Sequence, residues 1–152
     1  MLIRPMTPND YARIDPLMQQ LHQIHLQARP DLFIPLEHPY SQEEFCQMTV
    51  SSQKICLVAE QDEEIAGLCI VTMKEKSGMK EGTTAYIDDL FVNPDFRRQG
   101  IGKLLFLKAQ TLAKHKGASR IDLMVWAFNR SALDFYHSLG LCEQRFILEK
   151  NL

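Results

Sequence analysis

The chain has 152 residues, 45% of them hydrophobic and 24% charged, which suits one soluble globular domain with a sizeable core. The formal net charge of −2 gives no general electrostatic reason to bind nucleic acid or an anionic membrane, so any phosphate binding must be local. The four cysteines show neither a CxxC pair nor zinc-ligand spacing, and no apolar run resembles a signal peptide or a membrane span; this favours reduced thiols in a cytoplasmic protein over a disulfide framework.

The start of the chain predicts a short strand and then helical structure. Leu2 to Arg4 reads as the strand, and Thr7 followed by a proline reads as a helix cap. Pro16 interrupts the helical pattern after this cap, so that either one helix kinks there or Asp15 caps a second helix.

A proline-rich loop, "ARPDLFIPLEHP" over residues 28–39, comes next. Its length and apolar content suggest a role in binding. Ser41 and Glu44 have the spacing of a capping box, which predicts a short helix near 42–50.

The middle of the chain reads as β structure. Two β-like runs surround the turn "QDEE" and predict a hairpin over 54–76. A second loop is expected over 76–82, and a third β run over 83–92 ends at Asn93.

The remaining residues alternate between helical and β-like patterns. The apolar period predicts helices over 100–116 and 129–139, with strands over 119–127 and 141–151. The complete order is β-α-α-β-β-β-α-β-α-β. The strand, helix and strand in its second half favour a parallel pair joined by a right-handed crossover.

The stretch "VNPDFRRQGIG" over 92–102 carries positive charge into the positive end of a helix. Glycines at such a turn allow close approach to the backbone, and an arriving pyrophosphate would accept the free N–H groups and neutralise the charge. A tight turn with solvated arginines is the alternative. A Walker loop and a dinucleotide fingerprint do not fit, because Leu104 and Leu105 stand where those motifs need Ser or Thr and Gly.

Two blocks together resemble the GNAT superfamily of N-acetyltransferases. The first is "R-x-x-G-x-G" after a strand ending in "V-x-P"; the second is "NRSALDFYHSLG", which is similar to the family's "N-x-x-A-x-x-F-Y-x-x-x-G". The resemblance implies one domain over 1–152 with an α/β fold, in which helices flank a mixed, mostly antiparallel sheet and splayed parallel strands hold acyl-CoA. It also implies transfer of an acetyl group from acetyl-CoA to an amine, without a metal.

The same resemblance assigns the acetyl-CoA site. In GNAT enzymes the turn amides hold the CoA pyrophosphate, the end of the preceding strand pairs with the pantetheine, and an Asn and a Tyr lie beside it. The matching residues here are Leu90, Phe91, Val92, Arg97, Arg98, Gln99, Gly100, Ile101, Gly102, Lys103, Asn129 and Tyr136.

Two of these residues have structural alternatives. Tyr136 matches the tyrosine that protonates the departing CoA thiolate, and a phenol with a pKa near 10 is suited to that task. It could equally be a core tyrosine. Asn129 could act only as a helix cap, which is compatible with a contact to pantetheine.

Asp88 matches a position where many relatives carry a glutamate that accepts the proton of the amine, so it is the candidate base or amine anchor. Strict alternation places it on the strand face of Leu90 and Val92, and places Asp89 with Ile87 on the other face. A buried carboxylate is costly without a partner, so at least one of the two should face a cleft or an ion pair. Asp89 is expected to be structural.

The acceptor site is less defined. Phe33 and Trp126 are candidates to line it, although core packing is as good a reading of Trp126, and His22 and His25 are treated as groove or surface residues. Acidic side chains of the loop and the next helix either add negative charge or are solvated; they are Asp31, Glu37, Glu43 and Glu44.

A small-molecule amine is the leading acceptor. A protein or peptide acceptor and a non-catalytic acyl-CoA sensor are the alternatives. Only twelve residues follow Gly140, where many GNAT proteins have two more strands. Part of the acceptor wall is therefore expected to be missing, or to come from a second subunit in a homodimer.

Overall fold

The computed structural model describes residues 1–75 and 82–152. Its strands form one sheet in the order β1-β2-β3-β4-β5, in which only β4 and β5 are parallel. The predicted fold class, a mixed and mostly antiparallel sheet flanked by helices, is confirmed. The elements are β1 (Leu2–Pro5), α1 (Tyr11–Ala28), α2 (Gln42–Val50), β2 (Lys54–Gln61), β3 (Glu64–Glu75), β4 (Thr83–Val92), α3 (Ile101–His115), β5 (Ala118–Leu123) and α4 (Arg130–Ser138).

The sheet has a hydrophobic cluster on each face, because the central runs of β2 and β3, residues 55–59 and 65–71, carry no polar side chain at alternate positions. On one face, α3 contributes Leu105 and Ala109 to a cluster with Leu57. On the other face, α1 and α2 cover Val58 and Leu68. The sheet is therefore the central layer of three.

The predicted hairpin is confirmed. β2 and β3 are joined through Asp62 and Glu63, which have positive φ angles of 52° and 65°. Two successive left-handed residues give a tight turn whose twist matches that of the flanking strands. The loop expected over 76–82 lies outside the described residues except for Gly82.

α1 runs through Pro16 as one helix, so Asp15 does not cap a second helix there. Before it, a 3₁₀ turn over Pro8–Asp10 starts at Thr7, as predicted. Asp10 is buried there, and its carboxylate accepts two hydrogen bonds from the guanidinium of Arg4 at 2.9 and 2.8 Å. This ion pair ties β1 to the start of α1.

β4 and β5 part before β4 ends. Their parallel pairing runs only as far as Ile87 with Leu123, whereas β4 continues along β3 to the pairing of Val92 with Gly67. The end of β4 thus has no strand on the β5 side among the described residues, which gives the predicted splay.

The prediction of a final strand over 141–151 is wrong. No residue of 141–152 lies in a helix or strand. The run Phe146 to Leu148 has the apolar composition of a strand. A strand also needs a neighbouring strand that exchanges backbone hydrogen bonds with it. Within the described ranges, no helix is long and apolar enough to cross a membrane.

Candidate active site

A β-bulge lies in the middle of β4. Asp89 pairs with Ile70 and Ile87 pairs with Val71, so Asp88 is an extra residue with no opposite partner on β3. The bulge shifts the alternation: Leu90 packs with Ile87 against the α3-side cluster. The predicted faces, with Asp88 beside Leu90 and Asp89 beside Ile87, are therefore wrong.

Asp88 is held by polar neighbours on the sheet. The Thr72 hydroxyl donates a hydrogen bond to its carboxylate, and the Lys54 ammonium lies 3.3 Å from the same oxygen. Lys54 also donates to the Thr72 hydroxyl at 2.7 Å. The negative charge of Asp88 is thus matched by a cation within the chain.

Asp89 has a different environment. Its carboxylate accepts a hydrogen bond from the Tyr40 hydroxyl at 3.0 Å, across from the loop that precedes α2. Burial raises the pKa of Asp89, and the neighbouring charge of Asp88 adds to the effect, while the Tyr40 hydrogen bond opposes it. A carboxyl group with a raised pKa is better matched to proton transfer near neutral pH.

A cavity of about 220 Å³ opens beside Asp89. Its walls come from α1, from the end of the 28–39 loop with Tyr40, and from β4, and they combine apolar side chains with two histidines, a tyrosine and one carboxylate. The lining residues are Met18, Leu21, His22, His25, Leu36, Pro39, Tyr40 and Asp89. Burial and the nearby His22 lower the pKa of His25, which favours its neutral form.

The aromatic candidates Phe33 and Trp126 meet next to this cavity. Their ring centroids are 5.5 Å apart, and Phe33 also stacks on His25 at 5.4 Å. The guanidinium of Arg29 lies 5.6 Å from the centre of the Trp126 ring. The loop therefore packs on α1 so that an aromatic wall continues from the cavity towards β5.

The acidic candidates are engaged in structural contacts or exposed. Asp31 pairs with Arg29 at 2.7 Å. Glu44 accepts from the backbone N–H of Ser41 at 2.8 Å in the predicted capping box. Glu43 accepts from Gln47, and Glu37 is exposed. The cavity lining includes none of the four.

The basic glycine turn between β4 and α3 is exposed, and it presents unpaired amides. Within the part of the chain that the structure describes, no carbonyl accepts from the N–H groups of residues 98–101. Gly100 has a φ of 78° and open space where a Cβ would lie, whereas a Cβ on Gly102 would lie 3.3 Å from the Phe135 ring. Arg97 donates to the Val92 carbonyl at 3.1 Å, so it also braces the end of β4.

Tyr136 and Asn129 lie on and before α4. Burial raises the pKa of the Tyr136 phenol, with further effects from Cys69 and Asp89, so the hydroxyl remains protonated at neutral pH. Asn129 caps α4 by accepting from the Ala132 N–H at 3.2 Å. The cap is confirmed, and the ring of Tyr136 packs against the α3-side cluster.

Sequence reasoning missed Tyr40 and the cavity position of Asp89. The position of Asp89 follows from the bulge in β4, and that of Tyr40 follows from the packing of the 28–39 loop. The alternation of apolar and polar residues along a strand predicts neither. Two adjacent aspartates inside an apolar strand were the available signal that one residue leaves the regular pleat. Over 1–75 and 82–152, no group of three or more His, Cys, Asp or Glu could hold a metal ion.

A comparison with protein families shows which family the chain belongs to. Residues 18–141 match the model described as "Acetyltransferase (GNAT) family". The chain belongs to the GNAT family. The resemblance inferred from the two sequence blocks is thus confirmed, while a GNAT domain extending over the whole of 1–152 stays a prediction.

Several curated proteins are similar to this GNAT chain over part of their length. Thialysine N-epsilon-acetyltransferase of Bos taurus is 38% identical over 60 residues, or 40% of this chain and 35% of that protein. An L-ornithine N5-acetyltransferase of Arabidopsis thaliana is 36% identical over 36% of this chain and 24% of its own. A putative [ribosomal protein bS18]-alanine N-acetyltransferase of Bacillus subtilis is 32% identical over 56% and 52%. The chain thus spans about a quarter to a half of these relatives.

Solved structures match the GNAT chain over its whole length. A mutant of the BH1408 protein of Bacillus halodurans has a TM-score of 0.95 and 31% identity, covering 100% of this chain and 99% of that one. An aminoglycoside N-acetyltransferase in complex with CoA has a TM-score of 0.74 and 19% identity, covering 99% of both chains. The second likeness concerns the fold alone.

Proposed function

We propose that this chain transfers an acetyl group from acetyl-CoA to the primary amine of a small molecule. The observation that carries the proposal is the position of Asp89. It lines a small cavity on the α1 face of β4, and the same strand leads within a few residues to the splayed edge and the basic glycine turn. A thioester held along that edge would meet an amine held in the cavity.

The chain's own groups fit acetyl-CoA. The unpaired amides of 98–101, with the charges of Arg98 and Lys103, suit the pyrophosphate. No described strand pairs with β4 on its β5 side beyond Ile87, so the backbone of Leu90 to Val92 suits an extended arm that pairs like a strand, with the Val92 carbonyl also accepting from Arg97. Gly100 leaves room for close approach.

The chemistry is direct attack. The amine nitrogen forms a bond to the carbonyl carbon of the thioester, the carbon–sulfur bond breaks, and CoA leaves as a thiolate. The nitrogen loses a proton to a carboxylate, and the thiolate gains one from the Tyr136 hydroxyl. Burial raises the pKa of that phenol, so the hydroxyl still carries its proton when the thiolate forms, and the same burial disfavours the charged thiolate that accepts it.

We assign the carboxylate to Asp89 in preference to Asp88. The sequence favours Asp88 by its matching position, but Asp88 is paired with Lys54 and Thr72 and is absent from the cavity lining. Asp89 lines the cavity and has a raised pKa. Asp88 stays the alternative base, and its ion pair could hold the bulge in place.

The small cavity favours a small acceptor. At about 220 Å³ it lies below the roughly 300–1,000 Å³ of typical ligand pockets. Relatives named for thialysine and ornithine support the same class. A protein or peptide acceptor is the second candidate, because the relative named for a ribosomal-protein alanine matches a longer part of the chain. The cytoplasmic location expected from the reduced thiols belongs to this proposal as well.

The test is a turnover screen with acetyl-CoA in which released thiol is measured. The panel contains small diamines and amino acids with side-chain amines, peptides with free N-terminal alanine, and acidic peptides. We expect the small cationic amines to give the highest kcat/KM. Preference for peptides would support the second candidate. Binding of acetyl-CoA by calorimetry without turnover on any acceptor would instead support a sensor.

A further inference from the structure

The loop end before α2, residues 35–40, forms one wall of the cavity beside Asp89. Leu36, Pro39 and Tyr40 line the cavity there. Among the residues that the structure describes, no backbone group of 35–40 bonds to another backbone group. Two of the six residues are prolines, which have no N–H to donate. The position of the loop end therefore depends on its side-chain contacts.

Two hydrogen bonds join the loop end to the first turns of α1. The Tyr11 hydroxyl donates to the Tyr40 carbonyl at 2.9 Å. Nδ1 of the His38 ring lies 2.8 Å from a carboxylate oxygen of Asp15, and since a carboxylate oxygen accepts, Nδ1 is the donor. Tyr11 and Asp15 are four residues apart and share a face of α1. The loop end is thus attached to one face of one helix.

Asp15 is a buried carboxylate with few partners. It is 9% exposed, and among the described residues its Oδ1 accepts no hydrogen bond. Its other oxygen accepts from His38 and from the Gln19 side chain, each at 2.8 Å. A buried carboxylate is costly where its hydrogen bonds are missing, so the two that it makes are worth keeping. Gln19 belongs to α1 itself, and His38 is the donor that ties the loop to the helix.

The Tyr40 side chain connects the loop end to β4. Its hydroxyl donates to the Asp89 carboxylate at 3.0 Å. Burial and the charge of Asp89 raise the pKa of Tyr40, so the phenol keeps its proton and acts as a donor. A hydrogen bond to a carboxylate favours the charged form, and this bond opposes the effect of burial on the pKa of Asp89. The position of Tyr40 therefore affects how readily Asp89 ionises.

We propose that His38 is a positioning residue, whose hydrogen bond to Asp15 holds the Tyr40 hydroxyl against Asp89. His38 is not among the described residues that line the cavity, so it acts through Tyr40 and does not touch the acceptor. The proposal rests on the proposed function, in which Asp89 accepts the proton of the amine. Without the tie, the loop end would move away and leave the charged form of Asp89 with less support.

Other titratable groups face the two carboxylates, and the variants described below leave nearly all of them in place. Those around Asp89 are Asp88 on β4, Lys54 on β2, Cys69 on β3, Tyr136 on α4, and His22 and His25 on α1. Those around Asp15 and His38 are Tyr11 and Glu37. A changed pKa of Asp89 in a His38 variant therefore comes through Tyr40 or from the charge of His38 itself.

Carbon-13 NMR of protein labelled at the aspartate carboxyl groups measures the pKa of Asp89 without substrate, and Asp89→Asn identifies its signal. Tyr40→Phe removes only the hydroxyl and should raise this pKa. His38→Leu should raise it too, and should fold because His38 is half exposed. His38→Asn keeps a donor at the position of Nδ1, so the pKa of Asp89 should stay at the wild-type value. Glu37→Gln is the matched control in the same loop, 91% exposed, and should also leave it unchanged.

The double variant of His38→Leu with Tyr40→Phe separates positioning from a direct effect of the His38 charge. If His38 acts through the Tyr40 hydroxyl, the double variant has the same Asp89 pKa as Tyr40→Phe alone. An additional rise in the double variant would overturn the proposal, because a charge effect adds where a positioning effect does not. An unchanged or lowered pKa in His38→Leu or in Tyr40→Phe, or the His38→Leu result in His38→Asn, would overturn it as well.

Rates of acetyl transfer against pH test the proposed function separately. The acidic limb of kcat/KM for a small amine should move to higher pH in His38→Leu, together with the pKa measured by NMR. A limb that stays in place while the NMR pKa rises would count against Asp89 as the base. The NMR result would still show that His38 positions Tyr40, so the two failures are distinguishable.

Discussion

Asp88 and Asp89 are neighbours in sequence with different surroundings, and the difference governs what each carboxylate can do. Asp88 forms an ion pair with Lys54, so its carboxylate is already engaged within the chain. Asp89 faces a cavity and accepts a hydrogen bond from the Tyr40 hydroxyl, and its burial disfavours the charged form. A carboxylate that is poorly stabilised gains most from accepting a proton.

Asp89→Asn should lower kcat/KM by roughly 10²–10⁴-fold, the usual contribution of a general base. In the wild type, the basic form of Asp89 is lost as pH falls through its raised pKa, which gives an acidic limb in the pH–rate profile. The variant should lose that limb. Initial rates against pH for wild type, Asp89→Asn and Asp88→Asn check this, and loss of the limb in Asp88→Asn alone would reassign the base.

Stability provides the control for that experiment. Because the folded pKa of Asp89 is raised, its contribution to stability is greatest below the unfolded pKa and declines as pH rises through the folded one. Asparagine can still accept from Tyr40 but carries no charge. Asp89→Asn should therefore be at least as stable as the wild type at neutral pH in urea unfolding.

Tyr136→Phe should lower turnover and leave acetyl-CoA affinity nearly unchanged, since only a proton donor is removed while the ring keeps its packing. Rapid-mixing kinetics would establish that chemistry limits the rate, and calorimetry would measure the affinity. Full turnover under those conditions would return Tyr136 to a purely structural role.

The position of the turn between β4 and α3 is predicted from the sequence, whereas its role in binding pyrophosphate is a proposal. Its glycines, its charges and the apolar period of α3 are local features, so the sequence predicts the helix start to within a residue. The caps of α2 and α4 are predicted for the same reason. The bulge in β4 is not predicted, because it depends on how β3 and β4 pair and not on the sequence of either strand alone.

Charge variants in this turn should separate binding of the pyrophosphate from binding of the rest of CoA. Arg98→Gln and Lys103→Gln should each weaken CoA binding by about tenfold or more, in line with charge-assisted hydrogen bonds. Binding of pantetheine, which lacks the pyrophosphate, should be unaffected. Lys108→Gln, on the exposed side of α3, is the control. Calorimetry with both ligands measures the difference, and equal losses for both would argue against the pyrophosphate assignment.

At the scale of the whole molecule, predictability depends on the range of the interaction. Faces, layers and helix positions come from patterns within about ten residues. The cavity requires three separated parts of the chain, namely α1, the 28–39 loop and β4, to pack in one arrangement. The sequence makes Phe33 and Trp126 separate candidates to line the acceptor site, and the contact between their rings is seen only in the folded chain.

The ion pair between Asp10 and Arg4 should contribute measurably to the free energy of unfolding. Hydrogen bonds from Arg4 lower the pKa of Asp10 from 3.8 to about 2. A lowered pKa stabilises the fold above the unfolded value, and this stabilisation is lost as pH falls towards 2. The difference corresponds to about 2 kcal/mol.

Asp10→Asn should therefore reduce the free energy of unfolding by about that amount at neutral pH. Its deficit against the wild type should shrink between pH 4 and pH 2. Urea unfolding across this range measures both effects. Asp62→Asn, in the exposed β2–β3 turn, is the matched control for the substitution itself. A deficit that stays constant with pH would indicate a packing role for Asp10 in place of the ion pair.

Because of the bulge at Asp88, the number of residues in β4 affects how the strand lies against β5. Pairing of β4 with β5 ends at Ile87, directly before the extra residue, and a bulge bends the strand that carries it. Deleting Asp88 would leave Leu90 and Val92 facing the same core, because only the surplus residue is removed. The shortened strand should run straight and close against β5. We therefore expect deletion of Asp88 to leave a folded protein with a narrower cleft at the end of β4, and so with weaker binding of the CoA that we propose it holds.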